Sequence, residues 1–248
     1  SRVLTLWPVV GWLVYAYFGP RRRKRQRLKR WHKRAALMSR EDVNGLRAER
    51  SDVPAWAVQH ARLIEEASGL PMSSAQSVDV LASGGATLDA LLREIDGARG
   101  HIHLEYYIFE PDETGSRLLQ ALIAKARAGV KVRLLVDAIG SPKLLSRRHR
   151  RLLDEFRAAG GEFAVFHPAR LDRLRPLVNL RTHRKIVVID GHTGFVGGIN
   201  VTDDENEHIR PDNAYRDTHL LIRGGAVRWL QHLFLRDCHS AEGRSPPP

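Results

Sequence analysis

Cysteine is nearly absent from this chain. One residue, Cys238, among 248 rules out an internal disulfide and a zinc site built from several thiolates, and suits a reducing, cytoplasmic setting. Acidic residues are absent from residues 21–34. There Arg21, Arg22, Arg23, Lys24, Arg25, Arg27, Lys29, Arg30, Lys33 and Arg34 supply ten positive charges. Those ten account for all but two of the net charge of +12. The remainder is close to neutral, which argues against a nucleic-acid footprint spread over the whole domain. Charge of either sign is absent from residues 3–18, VLTLWPVVGWLVYAYF.

That uncharged run is slightly shorter than the about 17–20 residues a helical membrane span requires. It starts almost at the first residue, as a truncated span would. Trp7, Trp12, Tyr15 and Tyr17 suit an interfacial aromatic belt. The cations follow at once. Positive charge next to a span favours the cytoplasmic side and attracts anionic lipid headgroups. A signal peptide carries its charge before the apolar run, so that reading is disfavoured. The expected order is a transmembrane segment over residues 1–20, then a basic juxtamembrane helix and linker over 21–77. Helix-compatible stretches lie at 41–50 and 55–67, with nothing that suggests chemistry.

A globular domain is expected over residues 78–239. Residues 87–98 place Leu88, Leu91, Leu92 and Ile95 at helical spacing. Residues 101–109 (HIHLEYYIF) read as a strand, 116–128 as a helix stopped by Gly129, and 131–137 as a second strand. A basic amphipathic helix is expected over 144–159, a strand over 162–166, two more at 186–189 and 193–196 around an Asp190-Gly191 turn, one at 217–222 and a last helix at 226–235. Strands alternating with helices point to an α/β layered domain with a mixed β-sheet flanked by helices, preceded by the N-terminal membrane helix. The tail over 240–248 is expected to be disordered. Its Pro-rich end, and a start at Ser1 rather than at methionine, are both compatible with fragment boundaries.

The chemistry concentrates between Arg181 and Asn200. In an extended chain residues two apart share a face, so His183 and Lys185 point the same way, just before the apolar run Ile186-Val187-Val188-Ile189. A buried lysine without a partner is costly, and an anionic ligand is one solution. Gly197 and Gly198 permit close backbone approach to a ligand or an unusual φ, and Asn200 adds an amide. Asp190 closes the strand; seven residues at roughly 3.3 Å each put it about 23 Å along the chain from His183, so a role in the turn is expected for it. Asp217, in YRDTH, is the better candidate for orienting the imidazole. His101 and His103 with Glu105 share one strand face, but one strand rarely builds a zinc site alone. Arg170, Arg173 and Arg175 read as a solvated charge run, His192 and His208 as surface, and Trp229, Leu230, Leu233 and Phe234 as a core-facing helical stripe.

The string H-x-K-x4-D-x6-G-G-x-N resembles the signature of the phospholipase D superfamily. GARGHIHLEYYIFEPDETGSRLLQALIAKARAGVKVRLLVDAIGS and YRDTHLLIRGGAVRWLQHLFLRD resemble segments of bacterial cardiolipin synthases, and the likeness covers most of residues 3–238. The resemblance implies a phospholipase D-like fold and attack of a histidine on a phosphodiester through a covalent phosphohistidine. His183, Lys185, Asp190 and Asp217 would be the catalytic set, with Lys185, Asn200, Gly197 and Gly198 around the phosphate. It implies no metal and no cofactor. A second histidine would protonate the leaving alcohol, and which of the two attacks stays open. Enzymes of this type carry two such motifs, whereas this chain has one. The missing half would come from a homodimer or from a C-terminal region. The implied substrate is phosphatidylglycerol, converted to cardiolipin with release of glycerol at the cytoplasmic side of the bacterial inner membrane. No nucleic-acid partner is expected. The competing readings are a homodimeric phosphodiesterase or nuclease, and an inactive half-enzyme.

Overall fold

The structure is a computed structural model that describes residues 55–68, 72–166 and 182–242. The expected membrane segment, the basic stretch, the 41–50 helix and the arginines at 170, 173 and 175 lie outside the described residues. No helix among the described residues is long and apolar enough to cross a membrane. The chain divides into two units, one ending at Met72 and one beginning at Ser73. Of the first, helix α1 (Ala55–Ser68) is described, where a helix over 55–67 is expected.

The second unit is a seven-stranded mixed sheet with helices on both faces. In chain order it runs β1 (Ser77–Leu81), α2 (Gly84–Gly97), β2 (His101–Tyr106), α3 (Glu113–Arg127), β3 (Lys131–Asp137), α4 (Arg150–Ala158), β4 (Glu162–Phe166), β5 (Ile186–Ile189), β6 (Thr193–Gly197), β7 (His219–Arg223) and α5 (Val227–Glu242). The order across the sheet is β1-β7-β6-β5-β2-β3-β4. The pairs β2–β3 and β3–β4 are parallel, and all others are antiparallel.

Period-two alternation decides which face each side chain takes. Ile102, Leu104 and Tyr106 of β2, Leu134 of β3 and Val187 of β5 pack with Leu88, Leu91, Leu118 and Leu122 of α2 and α3. Their neighbours face α5: Ile186 and Val188 meet Val227 and Leu230, and Leu135 meets Phe234 and Cys238. Each large apolar side chain buried this way contributes roughly 1.5–3 kcal/mol. Because β5 is covered on both sides it is apolar throughout, as expected of a central strand.

The ends of the elements have local causes. Ser83 caps α2 by accepting from Ala86 N, and Asp112 caps α3 by accepting from Gly115 N. Gly129 and Gly160, at φ +88° and +95°, end α3 and α4 in the left-handed region. The basic helix expected from 144 starts later, as a 3-10 turn over Arg147–His149 that leads into α4. Strand β1 has no counterpart in the sequence-based expectation. It is an edge strand exposed along most of its length, so burial imposes no clear alternation. At the other end, α5 runs to Glu242, past 240 where a disordered tail is expected. Ala241 packs against the Leu135–Phe166 cluster and draws the helix onward.

Candidate active site

Antiparallel pairing of β5 with β2 puts the beginning of β5 beside the end of β2, with Ile186 opposite Glu105. Segment 182–185 therefore emerges next to Tyr107. Its four side chains alternate. His183 is exposed, with its ring 4.5 Å from the Tyr107 ring and tilted by 47° to it. Lys185 is 2 % exposed. Its Nζ donates to the His183 carbonyl oxygen at 3.1 Å, lies 3.0 Å from His183 Nδ1, and sits 5.6 Å from the centre of the Tyr107 ring. The two residues expected to face the same way thus meet.

Lys185 carries no ion pair with any described residue. Burial pushes its pKa down, while the carboxylates of Glu205 and Asp217 act from a distance in the opposite direction. A buried cation without a hydrogen-bonded counter-ion is stabilised by an incoming anion. Asn200 is tied to the same Glu205. Its backbone N and its Nδ2 both donate to Glu205, each at 2.7 Å, and its Oδ1 accepts from Ile108 N. Glu205, from a short 3-10 turn (Asp203–Glu205), is a site residue that sequence reasoning did not single out. Neither strand nor helix periodicity marks it.

Asp217 is exposed. Its Oδ1 accepts from Thr218 N at 2.7 Å, and no hydrogen bond joins it to His183. It is close enough to act on Lys185 and on His219, and its carboxylate occupies the space where a Cβ on Gly198 would sit. A Cβ on Gly197 would likewise meet the His219 ring at 2.9 Å. In this structure the glycine pair makes room for Asp217 and His219.

Asp190 stands at the opposite end of β5. Its carboxylate accepts from the backbone N–H groups of Arg99, Gly100 and His101 at 2.7–2.9 Å. Burial alone would raise its pKa, but those three donors outweigh it and hold the carboxyl below the usual range. Asp190 (φ +51°) and Gly191 (φ +73°) both take left-handed conformations in the β5–β6 turn. The motif's aspartate therefore fastens the β5–β6 turn to the start of β2, and does not belong with His183.

The alternate residues of the segment face α5. Thr182 Oγ1 donates to Glu105 Oε1 at 2.5 Å, and Arg184 forms an ion pair with Asp237, which also accepts from Arg236 Nε at 3.2 Å. Glu105 is fully buried, and burial, followed by the nearby Asp237 carboxylate, raises its pKa to about 8. Nearby, Gln231 bridges His101 and His103, and His103 stacks on Phe234 at 4.6 Å. Burial, with His101 and then Arg133, lowers the pKa of His103 to about 3. This face is a packed polar layer. No group of three or more His, Cys, Asp or Glu among the described residues could hold a metal ion.

An α/β layered domain with an H-x-K pair at the end of its central strands is a phospholipase D-like domain. The chain matches the family described as cardiolipin synthase, phospholipase D-like domain over residues 91–218, and it belongs to that family. It is 41% identical over 243 residues to the cardiolipin synthase of Geobacillus kaustophilus (strain HTA426), covering 97% of this chain and 48% of that protein. To the cardiolipin synthase of Geobacillus thermodenitrificans (strain NG80-2) it is 40% identical over 246 residues, again covering 97% and 48%. The chain thus spans about half the length of the curated relatives it matches. Among solved structures, phosphatidylserine synthase from Haemophilus influenzae Rd KW20 shares the fold. Its TM-score is 0.50 at 15% identity, over 66% of this chain and 37% of that one.

Proposed function

We propose that this chain is one half of a membrane-bound phosphatidyltransferase that makes cardiolipin from phosphatidylglycerol. The observation that carries this reading is the contact between exposed His183 and buried Lys185, a nucleophile beside a cation with no ion-pair partner among the described residues. Family membership and relatives named cardiolipin synthase support it. His183 attacks the phosphorus of one phosphatidylglycerol. The bond from phosphorus to the headgroup glycerol breaks, and glycerol leaves with a proton from an acid on the second half. A glycerol hydroxyl of a second phosphatidylglycerol then attacks, gives its proton to that same group, and releases the imidazole. Lys185 and Asn200 hold the non-bridging oxygens where charge accumulates. Asp217 orients the imidazole. The second half is a homodimeric partner or a C-terminal region. A reaction at the cytoplasmic face of a bacterial inner membrane is supported by the uncharged run at 3–18 and the cations after it.

The test is conversion of labelled phosphatidylglycerol in mixed micelles, with a second half present, by the wild type and by His183→Ala. Cardiolipin and glycerol are expected from the wild type, with a loss of at least about a thousandfold in the variant. Unchanged turnover by His183→Ala would reject the reading. Phosphatidic acid in place of cardiolipin would reject transfer in favour of hydrolysis.

A further inference from the structure

His219 is fully buried at the start of β7, yet neither of its ring nitrogens has a hydrogen-bond partner. Buried polar groups without partners are rare, and each calls for a reason. Its surroundings supply one. The ring lies over Gly197, directly opposite in the sheet, where a Cβ would meet it. Two charges act on it: the Asp217 carboxylate, two residues earlier, and the Lys185 ammonium. Burial prevails and lowers the imidazole pKa to about 4, so the ring is neutral near pH 7. A neutral imidazole has one N–H donor and one acceptor nitrogen. Its two neighbours match that pair, since a carboxylate accepts and an ammonium donates. Here Lys185 donates to His183, and Asp217 accepts from Thr218 N.

We propose that His219 is a positioning residue of the phosphoryl-transfer site, an alternate seat for Lys185 whose other nitrogen steadies Asp217. The inference rests on the reading of His183 as a group that attacks phosphorus. For Nε2 of His183 to attack, Nδ1 must carry the proton, and a protonated Nδ1 cannot accept from Lys185. The lysine must then release Nδ1. It turns to the phosphoryl oxygens and to the free acceptor nitrogen of His219. The His219 N–H donates to Asp217 and holds that carboxylate ready to accept a hydrogen bond from Nδ1–H of His183.

The experiment compares His219→Leu and His219→Asn with the wild type, each with the second half present. Turnover, thermal unfolding and nitrogen NMR of the histidine side chains are measured, the last with inorganic phosphate as probe. Leucine fills the buried space without polar atoms, so His219→Leu is expected to fold with an equal or higher Tm. Its kcat is expected to fall about 10- to 100-fold, the cost of a misplaced group, with KM little changed. His219→Asn recovers part of the loss. Phosphate is expected to shift the ring nitrogens of His219 in the wild type. Wild-type kcat in His219→Leu would mark the histidine as packing only and overturn the proposal. If His219→Leu does not fold, the NMR decides: ring nitrogens of His219 that ignore phosphate while those of His183 respond overturn it equally. Full activity in His183→Ala would instead strike the phosphoryl-transfer reading, and the NMR response of His219 is read without turnover.

Discussion

The two faces of segment 182–185 treat charge in opposite ways. Toward α5, Arg184 is paired with Asp237, and Thr182 is bonded to Glu105. On the other face, Lys185 is buried more deeply than Arg184, yet it has no ion pair with a described residue and rests against an imidazole. The same extended backbone produces both arrangements by alternation. On one face charge holds the fold together. On the other it is left for a ligand, at a cost that an optimised core would not retain.

The sharpest way to break this contrast is Lys185→Met, which keeps most of the length of the side chain and removes the ammonium. Turnover of phosphatidylglycerol is expected to fall about 10²–10³-fold, while the unfolding temperature stays level or rises, because an unpaired buried charge is gone. A large drop in stability without a drop in kcat would place Lys185 with the structural charges.

The converse variant, Arg184→Met, leaves Asp237 buried with Arg236 as its remaining partner. Because Arg184 is partly exposed, the expected loss is about 2 kcal/mol rather than the full cost of breaking a buried pair. Denaturant unfolding reads it. Single-turnover chemistry on folded protein should change little, and a catalytic loss larger than the stability loss would merge the two faces.

The smallest effect at low pH belongs to Glu105. Its folded pKa lies above the ordinary 4.5, at about 8, so the protonated form is the one that fits the fold. Its contribution is full below pH 4.5 and is lost as pH rises through about 8. Glu105→Gln keeps the shape and removes the titration. The variant should differ from wild type by under about 1 kcal/mol below pH 4.5 and become the more stable of the two as pH rises from 4.5 toward about 8. Parallel stability–pH curves for the two proteins would refute the assignment.

Much of the layered domain was legible from periodicity. The central strands carry long apolar runs, and α2 and α3 have stripes wide enough to read. Strand β1 was not, because an exposed edge has no buried face to impose a pattern. The His183–Lys185 contact was also legible, since two-residue alternation is a local property. Asp190 was separable from His183 by chain length alone, but its three backbone partners at 99–101 were not visible. Glu205 and His219 escaped for a different reason. Glu205 sits in a 3-10 turn without a repeating pattern, and His219 begins a strand in the way an ordinary histidine would. Only packing brings either one to Lys185.

The sequence by itself determined that a histidine and a lysine share one face at the start of a buried strand, because alternation needs no distant contact. It also determined that ten cations follow an uncharged run. The tertiary structure decided which carboxylates serve which groups. Asp190 goes to the backbone of the β2 loop, Asp237 to Arg184, and Glu205 to Asn200. Such pairings depend on which strands lie side by side, and sheet order joins residues far apart in the chain by contacts that no local pattern encodes.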